Sequence, residues 1–213
     1  MLTTIEIPEE VAQFELPEAV QDRLQFLLDK QDAGEQLTSA ERDEATGLVD
    51  LAEFLTYLRL NARRVQQQSY FLASPTMAYI PAALRRLVIQ RAENHCEYCG
   101  LAQVGQIAAF HIDHVIPVAA GGETSESNLA LACVSCSLRK AARETAVDPE
   151  TGDEVPFFNP RRDAWLDHFR WEGLRVAGVT PMGRAVVHAL ALNRLSVLLI
   201  REEETHRGRH PYP

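Results

Sequence analysis

Two Cys-x-x-Cys pairs, Cys96/Cys99 and Cys133/Cys136, stand with 33 residues between them and enclose the run His111-Ile112-Asp113-His114. Two thiolates from each of two knuckles form the tetrahedral four-sulfur set of a closed structural zinc site. Such a site would staple the loop that carries two imidazoles and a carboxylate, all chemically competent groups. The competing readings of the cysteines are disulfides, redox dithiols and buried thiols. Met1–Glu10 is acidic and lacks an apolar h-region, so a reducing, cytoplasmic setting is expected, which disfavours disulfides. A redox dithiol needs only one such pair, and here two flank one unit. Zinc is the expectation that remains strongest.

The elements that must position these groups follow from charge and periodicity. Residues 1–76 hold 14 acidic against 6 basic side chains, a net of −8, whereas the rest of the chain is close to neutral at −1. All seven histidines and all four cysteines lie after residue 77. This asymmetry predicts two modules: an acidic α-helical hairpin at 1–66, a linker at 67–78 opened by a Gln-rich stretch, and a metal-bearing domain at 79–213. Met77-Ala78-Tyr79-Ile80-Pro81 resembles a protein's own start, so fused reading frames and an ordinary internal methionine are equal readings of it. No stretch approaches the roughly 18 apolar residues of a membrane span.

In the front module Val20, Leu24, Leu27 and Leu28 fall at helical spacing. Thr38-Ser39-Ala40-Glu41 fits a capping box opening a second helix, on which Leu48, Leu51, Leu55 and Leu58 form a stripe. So small a hairpin buries little alone, and its stripes need the back module, a second copy or another protein. In the back module a helix is expected from Pro81 to Asn94, a strand across Ala108–Pro117, a turn at Gly121-Gly122, a return at Asn128–Leu131, and a helix from Cys133 to about Arg143. Asn159-Pro160 reads as a helix start with Trp165 and Phe169 on one face. A hairpin turn at Trp171–Leu174, a helix capped by Thr180-Pro181 and another over Leu195–Glu204 complete the expectation.

Cys96-x-x-Cys99, His111-x-Asp113-His114-x-x-Pro117, Gly121-Gly122, Asn128-Leu129, Cys133-x-x-Cys136 and Lys140, in this order, resemble the HNH endonuclease family. Phe158-Asn159-Pro160-Arg161, Trp165, His168-Phe169, Thr180 and Gly183-Arg184 are similar to a subgroup of small HNH proteins. The resemblance implies an α+β fold: a ββα-metal core with a four-cysteine zinc site and C-terminal helices, here preceded by the hairpin. It also implies metal-dependent hydrolysis of DNA phosphodiesters. Carried over by position, His114 is the general base, a role for which an imidazole is suited at neutral pH. Asp113 ligates a catalytic Mg²⁺ or Mn²⁺, His111 is a second ligand or a phosphate contact, and Asn128 braces the loop against the His-bearing strand. Ser137 departs from the family, which has Asn or His there; as a shorter ligand it leaves a weakened metal site or a silent one.

Neighbours on a flat strand face opposite ways, so Asp113 and His114 share a site only where the strand twists or bulges. Arg139, Lys140, Arg143 and Arg161, with Arg85, Arg86 and Arg162, are candidate phosphate contacts. DNA is the expected partner, with a zinc-stabilised DNA-binding module that has lost cleavage as the alternative. The acidic hairpin is read as an inhibitory cover, a recruiter of a protein partner, or a soluble face.

Overall fold

The computed structural model describes residues 14–63 and 80–212. The expected linker at 67–78, including Met77, lies outside these residues. Helix α1 spans Glu18–Asp32 and α2 spans Ser39–Arg63. Pro17 occupies the N-cap of α1, and Glu18 places an acid in the first turn, where the helix dipole favours it. The capping box forms as the sequence indicates: the Thr38 amide donates to Glu41 at 2.9 Å and the Glu41 amide to the Thr38 hydroxyl at 3.2 Å. Gly34 makes the turn between the helices at φ +82°, a left-handed conformation that glycine adopts without strain. A Cβ there would also fall 2.1 Å from that of Ala119.

The two helices bury unlike faces. Leu24, Leu27 and Leu28 of α1 are at most 1 % exposed, and full burial of each contributes about 1.5–3 kcal/mol. On α2 the buried face is Ala45, Val49, Ala52, Thr56 and Leu60, whereas Leu51 from the expected stripe is 46 % exposed. Small residues win the inner face because α2 lies close to two neighbours. Leu24, Leu28, Val49 and Ala52 form one cluster with Ile107, Ala108 and Val134, so the hairpin shares a core with the metal-bearing region.

Helix α3 (Ala82–Arg91) begins after Pro81, which is the N-cap rather than the first helical residue. It ends at Arg91, earlier than expected, and Glu93 and Asn94 take positive φ angles. Strand β1 is only His111–His114; it pairs antiparallel with β2 (Leu129–Ala132), in register from His111 opposite Ala132 to His114 opposite Leu129. Pro117 fixes a turn into a short 3-10 segment, which keeps the strand from reaching the ten residues its composition suggested. Helix α4 (Val134–Lys140) follows β2 and packs on both strands. Its N-cap is Cys133, whose sulfur accepts the Cys136 amide, and a positive φ at Ala141 stops it before Arg143.

Two further hairpins follow: β3 (Thr145–Val147) with β4 (Glu154–Pro156), and β5 (Phe169–Glu172) with β6 (Arg175–Gly178). The helix expected from Asn159 is instead a turn, in which the Asn159 side chain accepts the Arg161 amide at 2.8 Å. A four-residue helix, α5 (Trp165–His168), comes after it, and Phe169 belongs to a strand. The Trp165 and Phe169 rings still meet, at 5.1 Å between centroids. Helix α6 (Pro181–Ala189) is capped by the Thr180 hydroxyl, and α7 (Leu195–His206) lies along α2. Glu53 of α2 pairs with Arg194 and accepts the Ser196 hydroxyl at 2.6 Å, which anchors α2 to α7. The fold is α+β: among the described residues, three two-stranded antiparallel sheets are wrapped by helices, none of them long and apolar enough to cross a membrane.

Candidate active site and metal centre

The four cysteine sulfurs come together from two loops and the start of α4, all within 4.8 Å of one another and all buried. The Cys99 and Cys133 sulfurs are 3.8 Å apart, which is the spacing of about 3.8 Å that tetrahedral zinc–thiolate bonds of about 2.3 Å impose. The donor set therefore fits zinc. Thiol hydrogen bonds from Cys133, Cys136 and Cys96 hold Cys99 well below the ordinary thiol range, while burial pushes Cys96 up and the bond to Cys133 pushes Cys136 up. A divalent ion removes that competition by taking all four as thiolates.

A tetrathiolate zinc centre carries a net charge of −2, and the fold sets a cation beside it. Arg201 of α7 is fully buried, donates to the carbonyls of Leu192 at 2.9 Å, Leu174 at 3.0 Å and Cys99 at 3.3 Å, and lies 5.0 Å from the Trp171 ring centroid. Burial lowers its pKa, against the raising pull of the cysteines.

Between the knuckles, β1 presents its polar residues to different neighbours. The Asp113 carboxylate accepts the Tyr98 hydroxyl at 2.7 Å and lies 3.2 Å from the Lys140 ammonium. Burial raises the Asp113 pKa, opposed by Lys140 and reinforced by the charge of Asp32. His111 meets the Ser137 hydroxyl through Nδ1 at 2.8 Å and Asp29 of α1 through Nε2 at 2.9 Å. His114 pairs through Nδ1 with Asp32 of α1, and its Nε2 lies 3.0 Å from the Thr124 hydroxyl. An Nδ1–H donated to the Asp32 carboxylate leaves Nε2 as the acceptor of the Thr124 proton.

β1 contains no bulge, so Asp113 turns toward α4 and Tyr98 while His114 turns toward Asp32 and Thr124. Among the described residues no hydrogen bond joins them. His111, Asp113, His114, Asn128 and Ser137 are all at most 7 % exposed.

Asn128 spans the loop that follows β1. It accepts the Ile116 amide at 2.8 Å and donates to the carbonyls of Ile116 at 2.9 Å and Glu123 at 3.0 Å. Gly122 sits inside the same turn, where a Cβ would fall 1.8 Å from the Ile116 carbonyl oxygen. This bracing delivers Thr124 to His114.

Of the expected catalytic-ion set, His111 and Ser137 meet at 2.8 Å, while Asp113 faces Tyr98 and Lys140. Lys140 and Tyr98 hold one oxygen of Asp113, and the hydrogen bonds of Ser137 and Asp29 take both nitrogens of His111. The only metal-competent group of three or more His, Cys, Asp or Glu side chains among the described residues is the cysteine cluster. Lys140 departs from its expected phosphate-binding role: it is fully buried and donates to the His114 carbonyl at 2.8 Å. Arg161 is engaged by Glu97, Arg139 is half-buried with Nε 3.4 Å from the Ser135 hydroxyl, and Arg143 is exposed.

Asp29, Asp32, Tyr98, Thr124 and Arg201 escaped sequence reasoning. Asp32 continues the Leu24, Leu28 stripe at the next i+4 step, and a carboxylate on an apolar stripe is a legible signal that it meets a polar partner. Arg201 similarly follows Val197 on the inner face of α7.

Antiparallel strands, a crossing helix and a four-sulfur centre around a His-x-Asp-His strand define the ββα arrangement. Residues 96–143 match the family model described as HNH endonuclease. No curated protein and no solved structure matches the chain.

Proposed function

We propose that the chain is an HNH-type endonuclease that hydrolyses DNA phosphodiesters, with His114 as general base. The single observation that carries this reading is His114 itself, whose Nε2 faces a hydroxyl 3.0 Å away. A water in the place of the Thr124 hydroxyl would lose its proton to that nitrogen as its oxygen attacks phosphorus. The bond from phosphorus to one sugar oxygen breaks in the same step, and that oxygen leaves, taking a proton from solvent. Asn128 keeps the loop and strand in register, and the zinc knuckles hold the two ends of the catalytic segment together. Exposed cations such as Arg143 are candidates to contact the backbone. A divalent-ion requirement follows from the HNH likeness and is part of the test.

The second reading is a zinc-stabilised DNA-binding module without cleavage, favoured by Ser137, whose hydroxyl is taken by His111. Plasmid nicking with Mg²⁺, Mn²⁺ or EDTA, beside His114→Ala, separates the two. Metal-dependent nicking lost in His114→Ala supports the enzyme. A protein that holds zinc and shifts DNA but nicks with neither ion supports the binding module.

A further inference from the structure

The groups assigned to catalysis are closed off by the chain's own N-terminal helix. Asp29 and Asp32 are three residues apart, on one face of α1, and each meets one histidine of β1. Their carboxylates put negative charge on the two imidazoles that a phosphodiester would have to reach. Gln25 and Gln31 add donations from α1 to the carbonyls of Ala109, just before β1, and Leu138 of α4. With α1 in place His111 is 2 % and His114 6 % exposed, too little for a duplex backbone to touch either.

The two helices of the hairpin are fastened to different parts of the molecule. α2 is fastened to α7 by Glu53, with Arg194 and Ser196, and Leu60 lies in the main core. α1 is joined to α2 by the ion pairs Arg23–Glu44 and Lys30–Glu41, by the turn at Gly34, and by Leu24, Leu27 and Leu28, which share buried clusters with Val49, Ala52 and Ala45. The closed contact is itself imperfect in polar terms, since the second oxygen of Asp32 is buried without a hydrogen-bond partner.

We infer that α1 is a displaceable cap whose Asp29 and Asp32 stand in for substrate phosphate on His111 and His114, and that DNA enters only when α1 swings away while α2 stays docked. The inference rests on the reading of this site as one that engages DNA.

The test uses the full chain and Asp29→Asn/Asp32→Asn, both zinc-loaded, with a labelled DNA duplex followed by anisotropy and a plasmid followed for nicking. Loss of two negative charges at a phosphate site raises DNA affinity by about tenfold at low salt. Nicking rises with it. Equal affinity in the two proteins overturns the cap. Slower nicking in the variant overturns it too, because Asp32 would then be holding the base in position for the reaction. Tighter binding with no nicking by either protein leaves the cap standing and removes the nuclease reading instead. Amide hydrogen exchange of the wild-type chain gives an answer independent of how the variant folds. DNA should speed exchange in 18–32 and leave 39–60 unchanged; unchanged or slower exchange in 18–32 overturns the inference.

Discussion

Replacing Asn128 tests whether the loop after β1 is held by hydrogen bonds or merely filled. Asn128→Ala removes one acceptor and two donors, leaving the Ile116 amide and the Ile116 and Glu123 carbonyls short of a partner in a site 7 % exposed. At about 0.5–1.5 kcal/mol net per bond, with further cost for any group left dry, the loss is about 3 kcal/mol. With a urea m-value of about 2–3 kcal/mol/M the midpoint falls by about 1–1.5 M. The assay is urea unfolding at saturating zinc, read by circular dichroism. Asn128→Asp is the decisive variant, because it keeps size and one acceptor but points a carboxylate oxygen at two carbonyls. It should be no better than alanine. An Asp variant within about 0.5 kcal/mol of wild type would refute the reasoning and make the residue a space-filler.

Chelating zinc, or changing Cys136 to Ser, should cost the 96–143 region its ordered structure, seen as a loss of cooperative unfolding and of one zinc per chain. A variant that still unfolds cooperatively without metal would count against the zinc staple. The Glu41 pKa is lowered to about 2, first by Lys30 and then by the Thr38 amide, from an ordinary 4.5. A carboxylate lowered on folding lends stability that is complete above pH 4.5 and lost as pH falls through 2. Glu41→Gln should therefore be less stable than wild type at pH 6, with the gap closing between pH 4.5 and 2 in paired unfolding curves.

Much of this molecule is legible in its sequence, and the failures have physical causes. The cysteine spacing, the capping box and the Thr180 cap are patterns legible in the residues themselves, whereas the bracing role of Asn128 comes only from the resemblance to HNH endonucleases. β1 came out shorter than its composition suggests because Pro117 turns the chain, and the helix expected at Asn159 became an Asn-capped turn. Of the α2 stripe, Leu48 and Leu55 pack against the shared core as expected, whereas Leu51 faces out and the deepest positions go to Ala45, Val49 and Ala52. The contacts of Asp29 and Asp32 cross some 80 residues of chain, and no periodicity within α1 names a histidine as the partner. Lys140 shows the same limit: a basic residue at a helix end reads as surface until Asp113 and the His114 carbonyl are found around it.

Arg201 carries a consequence for the order in which the protein is made. The last zinc ligand, Cys136, leaves the ribosome about 65 residues ahead of the arginine that lies beside the metal centre. At about 5–20 residues per second, that is a delay of roughly 3–13 seconds. For those seconds a loaded site would hold its double negative charge with no guanidinium beside it, under a surface that Trp171 and α7 have yet to cover. The knuckles can gather their ion early, but their burial waits for the C-terminal helix, so metal capture and completion of the core are separate events in the life of a nascent chain.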